Sequence, residues 1–288
     1  MKLAEIYSQN KPVISFEVFP PKTDDGLAPL IAELRKLKEF KPGLISVTYG
    51  AGGTTQGRSL KLLEKIVNEL KLELMPHLTC IGSGEKSILN FLQKISGWGV
   101  ENILALRGDF PKNNPDYQPE SDVFKHAADL VKFTKQNAAL SMAVAGFPEK
   151  HPEAVSLETD LQYLQAKVHA GAEAIFTQLF FDNQYYYDYM KSVRATGITV
   201  PVIPGIWTIT NLKQIQKTAD LSHAKIPDDL LNKLQKADEA EVPEIGIEYA
   251  AAQIQDLLTH GVPGVHLYTL NKAETVSRVL EKIHWINI

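Results

Sequence analysis

The stretch VISFEVFPPKTDDG, residues 13–26, decides the fold. Its opening VISFEVF is rich in β-branched and aromatic residues and reads as a strand. An open doubly wound sheet normally follows its first strand with a glycine-rich phosphate-binding turn. Here the strand runs into PPKTDDG instead, which leaves that sheet as the alternative and a closed barrel as the reading. The stretch also poses a chemical question, because Glu17 stands between Phe16 and Val18 on an apolar strand.

Similar runs recur at LISVTYG (44–50), LELMPHLTC (72–80), ENILALRG (101–108), ALSMAVAG (139–146), AEAIFTQL (172–179), TVPVIPGI (199–206) and GVHLYTL (264–270). Most are nearly continuous in apolar residues, as parallel strands covered on both faces are. Segments of helical period lie between them. Leu60, Leu63, Val67 and Leu70 form one apolar stripe, and Leu157, Leu161, Leu164 and Val168 another, with Ser156 placed to cap the second helix and Gly171 to end it. Two helices are expected across 227–260. The pattern predicts one α/β domain, a (β/α)₈ barrel over residues 1–288.

Composition agrees with a soluble enzyme-sized domain: 288 residues, 44% hydrophobic, 22% charged, net charge −4. That balance offers nothing to a nucleic-acid polyanion. The single cysteine, Cys80, forms no internal disulfide or thiolate cluster, so no metal site is expected. The N-terminus carries no apolar core of signal-peptide length and no apolar run spans a bilayer, which points to a cytoplasmic protein.

In a barrel, the C-terminal strand ends surround the active site. Those ends supply Ser15 and Glu17, Thr48 and Tyr49, His77 and Thr79, Arg107 and Asp109, GFPEKH after strand five, Gln178, and Tyr268, Asn271 and Lys272. A buried carboxylate normally has its pKa raised above ~4.3, which would let Glu17 donate a proton at neutral pH. The plainer alternative is an ion pair from Glu17 to Arg107 or Lys272. His77 on its apolar strand also reads as a core histidine. Asp160 and Lys167 share a helix face, which alone reads as a solvated charged surface. No strand interior holds a lysine suited to Schiff-base chemistry.

The motifs SFEVFPPK, SVTYGAGG, PHLTCIG, LALRGD, GFPEKHPEA, AIFTQLFFD, IPGI and YTLNKAE occur in the order found in methylenetetrahydrofolate reductases. The chain resembles the bacterial, FAD-dependent members of that family from about residue 12 to 275. The resemblance implies a flavoprotein barrel that passes hydride from NADH or NADPH through FAD to 5,10-methylenetetrahydrofolate, in ping-pong fashion. The product, 5-methyltetrahydrofolate, supplies methyl groups for methionine synthesis.

It further implies catalytic roles for Glu17, as the acid that protonates folate nitrogen 10, and for Asp109, close to flavin and pterin. FAD contacts fall on Thr48, Tyr49, His77, Arg107, Gly108, Asp109, Phe147, His151, Asp160 and Lys167. Substrate contacts fall on Glu17, Gln178, Gln214 and Lys272, and Lys272 has the alternative of capping a loop. The absence of an arginine cluster favours NADH. A homo-oligomer is expected from bacterial relatives, and a subunit taking electrons from a partner protein is the competing reading. Phe147 stands where tyrosine is frequent, Glu120 where a small residue is expected, and Thr218 where some relatives carry an aromatic ring. The chain ends after the barrel, so the regulatory domain of eukaryotic relatives and feedback by S-adenosylmethionine are not expected.

Overall fold

Along β1 (Val13–Val18), side chains alternate between two cores. Phe16 and Val18 pack outward against helix residues such as Leu30, Ile31 and Leu34, and Val13 points into a separate inner cluster with Leu44, Met75, Leu104 and Ile203. Both faces are thus covered, and each full burial of a Phe or Val contributes roughly 1.5–3 kcal/mol. The same alternation runs through β2 (Leu44–Val47), β3 (Leu74–Thr79), β4 (Asn102–Leu106), β5 (Ser141–Gly146), β6 (Ala174–Leu179), β7 (Val202–Trp207) and β8 (Gly264–Tyr268). All eight pair in parallel and in sequence order, and β1 closes on β8. The expected barrel is found and the open sheet is not.

The structure, a computed structural model, describes residues 1–9, 11–48, 53–81, 83–108 and 123–284. Tyr49, Asp109 and Glu120 lie outside the described residues.

The helices are α1 (Leu3–Tyr7), α2 (Leu27–Lys38), α3 (Gly53–Lys65), α4 (Glu85–Gly97), α5 (Ala127–Asn137), α6 (Leu157–Ala170), α7 (Asn183–Ala195), α8 (Leu212–Ser222), α9 (Asp228–Lys236), α10 (Val242–Thr259) and α11 (Ala273–Glu281). The cap signals at α6 hold: Ser156 Oγ accepts from the Thr159 amide, and Gly171 ends the helix at φ 129°. The helices expected across 227–260 are α9 and α10. None of the helices among the described residues is long and apolar enough to cross a membrane.

Two features go beyond the sequence reading. First, α3 does not continue as a regular helix but widens into a π-helical turn over Ile66–Leu70. Second, α1 closes the N-terminal end of the barrel. Leu3, Ile6 and Tyr7 enter the inner cluster, the Leu3 amide donates to Ser141 Oγ at 3.2 Å, and Asn102 Nδ2 donates to the Met1 carbonyl at 2.8 Å. With that end filled, the opposite, C-terminal end is the open mouth.

Along β7 the pairing with β6 is irregular. The register against β6 shifts between Phe176 and Leu179. The Gly205 amide takes the Thr177 hydroxyl as acceptor at 2.9 Å instead of a strand carbonyl. Irregularities of this kind re-aim side chains beside active sites, and this one lies at Gln178.

Candidate functional site

Glu17 sits within a buried polar chain built from four strands, β8, β1, β2 and β3. Odd-numbered positions of β1 face the barrel interior, which places Ser15 and Glu17 one above the other. Across the closing seam Ser15 is in register with His266 of β8. Ser15 Oγ lies 2.8 Å from His266 Nδ1 and also reaches the Val265 carbonyl at 3.3 Å. On the other side, Ser46 Oγ of β2 lies 2.6 Å from His77 Nε2 of β3. Between the two imidazoles sits Glu17, with Oε2 3.4 Å from His77 Nε2 and 3.5 Å from His266 Nε2.

The Ser15 hydroxyl has one hydrogen to share between the Val265 carbonyl and His266 Nδ1. A ring bare at Nε2 would set lone pair against lone pair at the Glu17 carboxylate, so the tautomer that suits this geometry carries its hydrogen on Nε2, facing Glu17.

This overturns two expectations about Glu17. Burial does push its carboxyl up, but His77 and His266 oppose that, and the net result is a pKa down to about 2. Glu17 is then a carboxylate at neutral pH and not a standing acid. Nor are its partners Arg107 or Lys272. Arg107 is taken up in a bidentate pair with Glu153, at 2.5 and 2.8 Å, and Lys272 is exposed at the N-cap of α11, where its side chain makes no cap bond. Tyr268 closes the cluster from β8. Its hydroxyl donates to the Thr177 carbonyl at 2.8 Å, and burial, then Glu17, pushes its pKa well up.

A second group gathers where β4 and β5 end. Arg107 and Gly108 follow β4, and the Arg107 partner Glu153 donates its own amide to His151 Nδ1 at 3.1 Å. Because Nδ1 accepts, a neutral His151 carries its proton on Nε2. The His151 amide in turn donates to Asp160 Oδ2 at 2.9 Å. Burial pushes the His151 pKa down. Phe147 meets the His151 ring edge-to-face at 4.5 Å.

One helical face carries Asp160 and Lys167, but it is not a solvated one: Asp160 is buried, and Lys167 Nζ turns inward to the Ala145 carbonyl at 2.6 Å. Burial pushes the Lys167 ammonium down to about 8, with Asp160 opposing. Gly108 sits at φ +84°, where an added Cβ would meet the Thr79 Cβ at 3.0 Å. Thr79 Oγ1 itself is buried with no hydrogen-bond partner among the described residues.

The remaining expected residues stand apart from these groups. Thr48 is half-buried after β2, and its amide donates to the Val18 carbonyl at 3.0 Å. Gln178 is half-buried at the β6 irregularity, its Oε1 accepting from the Leu179 amide. Gln214 lies in the first turn of α8, with Oε1 accepting from the Thr210 hydroxyl at 3.1 Å. Sequence reasoning missed His266, Ser46 and Glu153. The signal for His266 was its inward parity with Tyr268 in GVHLY.

Comparison with known proteins follows the same line. A family model described as methylenetetrahydrofolate reductase matches residues 2–284. The chain is 36% identical over 274 residues to the 5,10-methylenetetrahydrofolate reductase of Escherichia coli (strain K12), covering 94% of this chain and 90% of that protein. It is 34% identical over 299 residues to methylenetetrahydrofolate reductase (NADH) 1 of Arabidopsis thaliana, covering 99% of this chain and 50% of the relative. The chain thus spans about half the length of the plant relatives it matches. Among solved structures, an uncharacterized protein from Clostridium thermocellum that binds two copies of 5-methyl-5,6,7,8-tetrahydrofolic acid aligns with TM-score 0.71 over 98% of both chains. At 12% identity that likeness speaks for the fold alone.

Proposed function

The chain belongs to the methylenetetrahydrofolate reductase family, and from that premise we propose that it reduces 5,10-methylenetetrahydrofolate to 5-methyltetrahydrofolate with FAD and a nicotinamide nucleotide. The observation that carries this reading is Glu17, a buried carboxylate held between two imidazoles on the inner wall of the barrel.

The residues present fit FAD. Lys167 is an inward-facing ammonium, the Thr79 hydroxyl is buried and unpartnered among the described residues, and bare backbone at Gly108 lies against it. A pyrophosphate would repay the burial of a cation, and a flavin edge would use a hydroxyl without a partner. Thr48, Arg107, Gly108, His151, Asp160 and Lys167 would hold the group, with Phe147 stacking nearby. FAD bound there would supply the relay of hydride from NADH or NADPH to the folate.

The chain's own part is proton management. Methylenetetrahydrofolate must open its five-membered ring before it can accept hydride. Glu17 would take the proton lying between it and His266 and pass it to folate nitrogen 10. The methylene–nitrogen 10 bond then breaks, its electron pair stays on nitrogen 10, and the nitrogen 5 lone pair makes the iminium. The Ser15 hydroxyl, behind the His266 ring on Nδ1, keeps that ring oriented while the proton moves. Gln178 and Gln214 would hydrogen-bond the substrate, and Asp109 would sit beside the flavin.

The test is product formation. Purified chain supplied with FAD, NADH and methylenetetrahydrofolate should yield 5-methyltetrahydrofolate, resolved by chromatography, and a folate pool left unchanged contradicts the reading.

A further inference from the structure

The strand that carries Glu17 loses its ladder immediately afterwards. Phe19 is followed by Pro20 and Pro21, neither of which has an N–H to donate. Register pairing of β1 with β8 stops at Glu17 and Tyr268. Beyond that point the β8 side takes hold of β1 by other means. The Glu17 carbonyl accepts from both the amide and the hydroxyl of Thr269, at 3.2 and 2.7 Å. Asn271 then grips Phe19 at two points: the Phe19 amide donates to Asn271 Oδ1 at 2.9 Å, and Asn271 Nδ2 donates to the Phe19 carbonyl at 2.8 Å. The side-chain amide takes the place of a missing strand residue.

Reaching that position strains the backbone. Leu270 and Asn271 are consecutive non-glycine residues at φ 49° and 61°. Left-handed backbone is unfavourable for a branched residue such as leucine, and such conformations persist where the surroundings impose them. The Thr269 hydroxyl accepts from the Asn271 amide at 3.1 Å, which fixes the turn.

Resting on the proposed reductase reading, we infer that Asn271 is a positioning residue: it clasps the end of β1 and so holds the Glu17 carboxylate in line for proton transfer to the folate. Its tolerance of left-handed backbone is the competing account, because asparagine is frequent there for conformational reasons alone.

Glycine separates the two accounts. Asn271→Gly accepts φ 61° without steric cost and removes only the clasp. Asn271→Asp keeps the acceptor for the Phe19 amide and loses the donor to its carbonyl. Two readouts are taken on each variant with FAD present. Amide hydrogen exchange at Phe19 needs no activity, and should accelerate at least tenfold in Asn271→Gly and less in Asn271→Asp. Single-turnover folate reduction should fall on the order of ten- to a hundredfold in Asn271→Gly, as displacement of a reacting group by about 1 Å does. Flavin reduction by NADH should stay within about twofold, since the side chain of Asn271 is engaged with the Phe19 backbone and the clasp serves the Glu17 step.

Unchanged exchange at Phe19 overturns the clasp. Faster exchange with folate reduction at the parent rate overturns its catalytic consequence and leaves Asn271 a turn residue. A parent chain that turns over no folate sinks the reductase reading, and the exchange measurement still decides the clasp.

Discussion

Glu17 and His266 face each other across the seam that closes the barrel, Oε2 to Nε2 at 3.5 Å, and His266 Nε2 has no hydrogen-bond partner besides this approach among the described residues. The two residues lie near opposite ends of the chain. Only closure of β1 on β8 brings them together, so the chemistry of Glu17 depends on the fold being complete.

Replacing His266 by glutamine removes a charge partner from Glu17, and its carboxyl should rise. In the parent chain the folded pKa of Glu17, about 2, is below the usual carboxylate value of 4.5. Its stabilisation is therefore present above pH 4.5 and is lost as pH falls toward 2. His266→Gln should be less stable than the parent at pH 7, with the gap narrowing on acidification through that window. Urea unfolding at neutral and acid pH measures this. A gap that does not change with pH would refute the pairing.

Glu17→Gln keeps the shape of the side chain and abolishes its proton traffic. Flavin binding and NADH oxidation should persist, whereas folate reduction should fall on the order of 10²–10⁴-fold, the usual contribution of a general acid. Stopped-flow measurement of the two half-reactions separately checks the claim. Normal folate turnover in this variant would remove Glu17 from the mechanism.

Lys167 carries a cost in the flavin-free protein. Its folded pKa, about 8, lies below the ordinary lysine value of 10.5, so the unfolded chain binds more protons between those two values. Stability of the apoprotein should rise with pH from 8 to 10.5 on account of this group. Lys167→Met should flatten that rise and raise the apoprotein melting temperature at pH 7, while weakening FAD binding. Thermal melts with and without FAD across the pH range test both halves, and a variant melting below the parent without FAD would contradict the argument.

Gly205 must remain bare. An added Cβ would stand 2.3 Å from the Thr177 carbonyl and 2.8 Å from the Tyr268 hydroxyl, the two groups whose bond ties β6 to β8. Gly205→Ala should cost about 1–3 kcal/mol of stability, as overpacking of a tight core does. Denaturant unfolding reads this out, and an unchanged midpoint would show that the strands yield at little cost.

The barrel was legible because each strand announces itself: a short apolar run, then a polar residue where the run ends. The caps of α6 were legible for the same local reason, since Ser156 and Gly171 act through their nearest turns. What sequence did not disclose arises from distant partners. The direction of the Glu17 shift is set by His77 and His266, not by the apolar neighbours Phe16 and Val18 that suggested a raised pKa. The inward turn of Lys167 to the Ala145 carbonyl depends on how α6 sits on β5, so two charges on a helix looked like a solvated face. The β6 irregularity at Gln178 emerges only when β6 is laid against β7, where the pairing shifts between Phe176 and Leu179.

The most direct test of the central claim is an anaerobic absorbance spectrum of the chain reconstituted with FAD, recorded before NADH, after NADH, and after methylenetetrahydrofolate. The account predicts an oxidised flavin band that bleaches with NADH and returns when the folate is added. A band that NADH bleaches and the folate does not restore, or a chain that retains no FAD, would contradict it.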